Sequence, residues 1–319
     1  MKIGVLLNNF GGFPETGRSA RACIDLACHA ERLGFASVWV TDHIVLPRSI
    51  RANYPHGEAG FPYTWEQDIH EPIVLMAALA QATERVEIGV SVLVIPYRHP
   101  LLTAKMLATV DQLSGGRIVL GAGVGWLREE FEALGLGPEI FEHRGSVSVD
   151  YLRAMQRAWT AETTVDYAGR YVRFEDVGVR PRPARSPRIP IWMGGAGERA
   201  LRRSVEIADG YLAIASSPQQ LAADTARLRE LANSAGRAPE SLSVALIEGI
   251  VLGSGAARLP GVSLQGTPAR ILDGLRAFGD AGLDHLIAGI SLEGSRDLAA
   301  SIDALEQVAT EILPQAAEF

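Results

Sequence analysis

Eight short, β-rich apolar runs recur along this chain, and each is followed by a stretch with helical spacing. The runs are 3–7, 37–41, 86–94, 117–123, 190–194, 210–215, 242–251 and 285–290. The helical patterns lie at 18–33, 72–84, 101–113, 126–133 with 147–160, 198–208, 218–234, 268–281 and 295–313. The run Val90-Ser91-Val92-Leu93-Val94-Ile95 barely alternates, as expected of a strand covered on both faces. Eight such units in 319 residues predict an α/β fold, a (β/α)8 TIM barrel with insertions. A doubly wound open sheet is the alternative topology.

The surplus length has two homes. Residues 47–67 are rich in Pro, Gly, Tyr and His without helical period, which predicts a long loop after the second strand. In 164–177, apolar and aromatic runs flank Ala168-Gly169, the pattern of a hairpin. The basic, Pro-rich stretch 180–188 reads as an extended connector into the fifth strand. One barrel then accounts for residues 1–319, with a lid loop at 47–67 and a hairpin at 164–177.

Charge and cysteine content narrow the function. The net charge is −7, so there is no overall basic field for nucleic acid. No run approaches the ~20 apolar residues of a membrane helix, and the opening MKIGVLLNNFGG reads as a strand rather than a signal peptide. The two cysteines, Cys23 and Cys28, point apart on one predicted helix and read as reduced thiols in a cytoplasmic setting. Walker, HExxH, GxSxG and zinc-type spacings are missing, and no metal is expected.

In such a barrel, chemistry sits where strands end. The second strand ends in Asp42-His43, a pair that can bind a polar group and move a proton, or simply cap a turn. On the third strand, the small residues Gly89 and Ser91 interrupt bulky neighbours; they suit a bulge, the approach of a flat ligand, or ordinary packing. The fourth ends in Gly121-Ala122-Gly123-Val124-Gly125-Trp126, a weak dinucleotide fingerprint that also reads as a smooth floor with Trp126 as a wall. The fifth ends in Gly194-Gly195-Ala196-Gly197-Glu198-Arg199. A Gly-rich turn opening a helix suits a phosphate, with Arg199 or Arg202 adding charge, although a plain tight turn is the other reading.

Taken together these segments resemble the luciferase-like monooxygenase superfamily. The resemblance rests on Thr41-Asp42-His43, PIVLMAALAQATE from Pro72, PYRHPLLTAK, LSGGR, GAGVGW, Arg128 to Gly135, His143-Arg144-Gly145, Pro190 to Gly195 and Ala208-Asp209-Gly210. LSGGR followed by GAGVGWLREEFEALG is most similar to the F420-dependent oxidoreductase branch. The resemblance implies a barrel that binds the deazaflavin F420, with FMN as the alternative cofactor. It places the cofactor phosphate at 194–199 and a cis peptide at Ser91–Val92 behind the ring. His43, beside Asp42, would be catalytic, and the ring would rest against Ser91, Val92, Gly123 and Val124. Tyr54, Phe61, Tyr63 and Trp65 of the loop, with Trp126, would enclose the substrate. Sugar-phosphate dehydrogenases of this branch carry a carboxylate where this chain has Trp126, which implies a less polar small-molecule substrate. Arg48, Arg51 and Arg98 are candidates for the acidic tail of F420. The reaction implied is hydride transfer; the alternative is oxygenation with reduced flavin. A homodimer is the family expectation.

Overall fold

The computed structural model describes residues 1–319 except 53, 55–60, 215–216, 255–261 and 296. Its strands are β1 (Lys2–Leu6), β2 (Ser37–Val40), β3 (Glu87–Val94), β4 (Ile118–Gly123), β5 (Val165–Ala168), β6 (Arg173–Val177), β7 (Ile191–Gly195), β8 (Gly210–Ala213), β9 (Ser243–Leu252), β10 (Leu264–Gly266) and β11 (His285–Leu292). β1, β2, β3, β4, β7, β8, β9 and β11 pair in that order, all in parallel, and β11 pairs back onto β1. The ring is therefore closed, a (β/α)8 barrel and not an open sheet. Each of its strands overlaps one of the eight apolar runs. β10, unanticipated from the sequence, pairs with the end of β9. The segment 164–177 holds the antiparallel pair β5–β6 outside the barrel.

The helices are α1 (Ser19–Leu33), α2 (Pro72–Ala82), α3 (Pro100–Ser114), α4 (Arg128–Ala133), α5 (Pro138–Glu142), α6 (Arg144–Thr160), α7 (Glu198–Ile207), α8 (Pro218–Ser234), α9 (Pro268–Asp280), α10 (Leu298–Glu311) and α11 (Leu313–Ala316). Local chemistry sets their ends. Helix α1 buries Ala22, Cys23, Leu26, Ala27 and Ala30, one face at helical spacing, and stops at Gly34 with φ 90°. Helix α2 starts where the Glu71 carboxylate accepts the Val74 N–H at 2.7 Å, with Pro72 in the first turn. None of the described helices is long and apolar enough to cross a membrane.

Two tryptophans fill the barrel interior, and glycines make room for them. Trp39 of β2 and Trp192 of β7 stack with centroids 5.3 Å apart. A Cβ on Gly89 would stand 2.1 Å from the Trp39 ring, and one on Gly210 would stand 2.7 Å from Trp192. Gly89 therefore serves the packing of an indole, not the approach of a ligand. Beneath them His285 Nε2 lies 2.8 Å from Ser37 Oγ, which accepts the Trp39 indole N–H at 2.7 Å.

The top of β3 departs from regular pairing. The Ser91–Val92 peptide is cis, and the β3–β4 register shifts between Val90 and Leu93. The Val92 isopropyl group packs against the barrel-interior cluster. It fills the space a Cβ would need at Gly123 (2.2 Å) and at Gly194 (2.7 Å). These glycines thus admit Val92, and Val92 becomes the floor of the barrel mouth.

Candidate active site

His43 follows β2 directly, which puts it at the carboxyl-terminal rim. Its Nδ1 lies 2.6 Å from Glu130 Oε2 on α4. Glu130 is fully buried and accepts three more hydrogen bonds, from Ile44 N (2.6 Å), Val45 N (3.2 Å) and the Tyr97 hydroxyl (2.8 Å). All four lone-pair positions of the carboxylate are used, so it acts as an acceptor throughout. Burial, then the Glu130 charge, push the Tyr97 phenol upward and keep it a donor. With Nδ1 donating to Glu130, the proton-accepting atom of a neutral His43 is Nε2. Among the described residues Nε2 has no hydrogen-bond partner.

Aromatic rings surround that imidazole. Phe10 (5.2 Å), Phe61 (5.4 Å) and Trp126 (6.2 Å) stand around it, centroid to centroid. Tyr54 and Phe61 each pack on Trp126, and Tyr63 packs on Phe10 at 4.3 Å. So the described part of the 47–67 loop brings Tyr54, Phe61 and Tyr63 onto the mouth; residues 53 and 55–60 of this loop lie outside the described residues. Trp65 is not in this group. It is half exposed, with the Arg48 guanidinium 5.7 Å above its ring.

Asp42, beside His43, faces Arg98. Its fully buried carboxylate accepts both Arg98 nitrogens, at 2.8 and 2.9 Å, and the Val94 N–H at 2.9 Å. Arg98 also binds Glu71 at 2.9 Å. This ties β2, the top of β3 and the start of α2 together, and it holds the segment carrying His43. The Asp42 carboxylate is thus engaged by Arg98 and the Val94 N–H. The loop arginines are likewise engaged within the chain: Arg98 here, Arg48 over Trp65, and Arg51 through its N–H and Nε on Glu129 Oε1 (2.8 and 3.3 Å). Adjacent carboxylates of α4 divide the work. Glu129 tethers the loop, and Glu130 holds His43.

The fifth barrel strand, β7, ends in the Gly-rich turn. Gly195 and Gly197 have φ of 141° and 73°, conformations that favour glycine. Ala196, Glu198 and Arg199 are exposed. Glu198 is occupied: it pairs with Arg202 (2.5 Å) and Arg227 (2.9 Å), which hold its carboxyl at about 2. Glu198 thus links Arg202 of its own helix to Arg227 on α8. Helix α7 begins without a side-chain cap, so its first N–H groups remain for an acceptor.

The residues present fit a planar, phosphorylated cofactor. Ser91 Oγ is buried with no hydrogen-bond partner, beside the Val92 floor. Val124 follows that floor at the end of β4. Among the described residues no cluster of His, Cys, Asp and Glu could hold a metal ion.

Sequence reasoning missed Glu130, Tyr97 and Phe10. Glu130 stood inside the quoted REEFEALG segment, but nothing local marks a glutamate as the partner of a histidine 87 residues away.

Known proteins resemble this chain in sequence and in fold. The chain is 32% identical over 200 residues to 5,10-methylenetetrahydromethanopterin reductase of Methanopyrus kandleri, covering 58% of this chain and 57% of that enzyme. It is 31% identical over 169 residues to FMNH(2)-dependent dimethylsulfone monooxygenase of Pseudomonas putida, covering 53% and 46%. The matched segment thus spans about half the length of either enzyme. Among solved structures, monooxygenase RslO1 from Streptomyces bottropensis superposes with a TM-score of 0.79 at 23% identity, over 98% of this chain and 99% of that one. The luciferase-like monooxygenase family model matches residues 1–259, and the chain belongs to that family.

Proposed function

We propose that this protein is an F420-dependent oxidoreductase that moves a hydride between the deazaflavin and a small, weakly polar organic substrate. The observation that carries it is the His43–Glu130 pair set under an aromatic box. A hydride moves with a matching proton, and His43 Nε2 is a proton-handling atom held in one tautomer among apolar walls. Bound at the mouth, the deazaflavin supplies the hydride chemistry. Ser91, Val92, Gly123 and Val124 would carry the ring, and the turn 194–197 would meet the phosphate.

The chain's own residues then do three things. Glu130 fixes which nitrogen of His43 carries the proton. Phe10, Phe61, Tyr63 and Trp126 exclude water and favour an apolar substrate over a sugar phosphate. Glu129 anchors the loop over the site through Arg51. The likeness in LSGGR and GAGVGW supports F420, and so does the relationship to a methanopterin reductase. The relationship to a dimethylsulfone monooxygenase supports the second reading, an FMN-dependent monooxygenase. The test is anaerobic oxidation of reduced F420 against a panel of ketones, enones and imines. Turnover that needs FMN and oxygen, with none from reduced F420, would favour the second.

A further inference from the structure

The phenyl ring of Phe61 holds a central place in the aromatic box. Two ring pairs stand on either side of it. Phe10 and Tyr63 form one wall, with centroids 4.3 Å apart, and Tyr54 and Trp126 form the other, at 5.3 Å. Phe61 lies between these walls. It is 5.8 and 5.4 Å from the rings of the first pair, and 5.2 Å from each ring of the second. Its fifth neighbour is the His43 imidazole, 5.4 Å away. Among the described residues, Phe61 is the one ring in contact with all five of the others.

The angles say what kind of group this seat takes. Phe61 meets Phe10, Tyr63, Tyr54 and Trp126 at 82°, 64°, 62° and 58°, and His43 at 51°. None of these neighbours lies flat on it. Edge-to-face packing rewards the quadrupole of an aromatic ring beyond the area it buries, and a saturated ring of the same outline forgoes that gain. The polar end of the seat is set as well. With His43 Nδ1 committed to Glu130, Nε2 is the ring nitrogen that remains for another group. A C=O or C=N carried directly on a ring in this seat lies beside the imidazole. Fastening the loop does not require a phenyl ring over His43, because Arg51 on Glu129 and Tyr63 on Phe10 already hold it.

We propose that the Phe61 seat is the ring subsite of the substrate, which is a small aryl ketone, aldehyde or imine with its C=O or C=N beside His43 Nε2. Phe61 is then the specificity-determining residue, because its own ring and the ring of the substrate compete for one position. The reacting group rests on the function proposed above; the ring seat rests on the packing alone.

Binding to the full chain without cofactor tests it. Fluorine NMR gives the affinity for para-fluoroacetophenone, with acetophenone and cyclohexyl methyl ketone as competitors. Phe61→Ala should bind the fluorinated probe about tenfold or more tighter than the wild type, as an apolar seat relieved of its own ring takes up a free one. In that variant the saturated ketone should compete at least about threefold less well than acetophenone. Adding Trp126→Leu to Phe61→Ala should remove most of the gain. Phe61→Leu repeats the comparison if Phe61→Ala fails to fold. Equal affinity of wild type and Phe61 variant, equal competition by the two ketones, or a gain that survives Trp126→Leu would overturn the seat. If the three binding results hold while reduced F420 turns over no ketone, enone or imine, the seat stands and the function proposed above falls.

Discussion

His43 Nδ1 and Glu130 Oε2 lie 2.6 Å apart, joining the end of the second barrel strand to the helix after the fourth. The contact decides the tautomer of the histidine and turns Nε2 towards the aromatic box. His43→Ala should lower kcat by about 10²- to 10⁴-fold while the cofactor dissociation constant stays within about threefold. Glu130→Gln should lower kcat at least about tenfold with KM little changed, because geometry and tautomer are lost rather than binding. Steady-state kinetics with cofactor titration checks both. A raised KM at unchanged kcat would make the pair a substrate anchor instead.

The Val92 floor predicts a coupled pair. Gly123→Ala would place a methyl 2.2 Å from Val92 Cγ2, an overpacking that costs about 1–3 kcal/mol. Val92→Ala should recover a large part of that loss in the double variant. A thermodynamic cycle from chemical unfolding measures the coupling. Additive effects would mean that Val92 does not fill the space beside Gly123.

Asp42 and Arg98 form a buried pair with Glu71 alongside. Removing one partner strands a buried charge, so Arg98→Met should destabilise the fold by about 3–5 kcal/mol. Asp42→Asn should also destabilise, and its kcat should fall less than that of His43→Ala. Urea unfolding and kinetics on the same preparations separate the two roles. A kcat loss equal to that of His43→Ala, without loss of stability, would return Asp42 to the chemistry.

His285 gives a pH dependence. Burial first, then the Lys2 charge, lower its pKa from 6.5 to about 3. Because the folded value lies below the unfolded one, the unfolded chain binds more protons between these limits. The stability from neutral His285 is therefore full above pH 6.5 and is lost as pH falls towards 3, with a slope of up to about 1.4 kcal/mol per pH unit. His285→Gln should flatten the fall in unfolding free energy between pH 6.5 and 4. An unchanged slope would place the acid sensitivity elsewhere.

Much of the fold was legible because parallel strands buried on both faces leave continuous apolar runs, as at 86–94. The count of eight β-then-α units also predicted the closed ring, which β11 completes by pairing with β1 across almost the whole chain. At the site, His43, Trp126 and the Gly-rich turn were readable because each sits at a strand end. Gly89 was open between a bulge, a ligand's approach and ordinary packing; it answers to Trp39, and Gly123 to Val92, side chains that only tertiary packing brings there. Sequence left Asp42 between chemistry and capping a turn, and it could not show Arg98, 56 residues away, as the partner of its carboxylate.

The direct test of the central claim is the quenching of tryptophan fluorescence on titration with F420 and, separately, with FMN. Trp126 borders the mouth, so a ring bound over Val92 quenches it. F420 should quench saturably, and FMN should bind more weakly. Tight FMN binding with no response to F420 would contradict it.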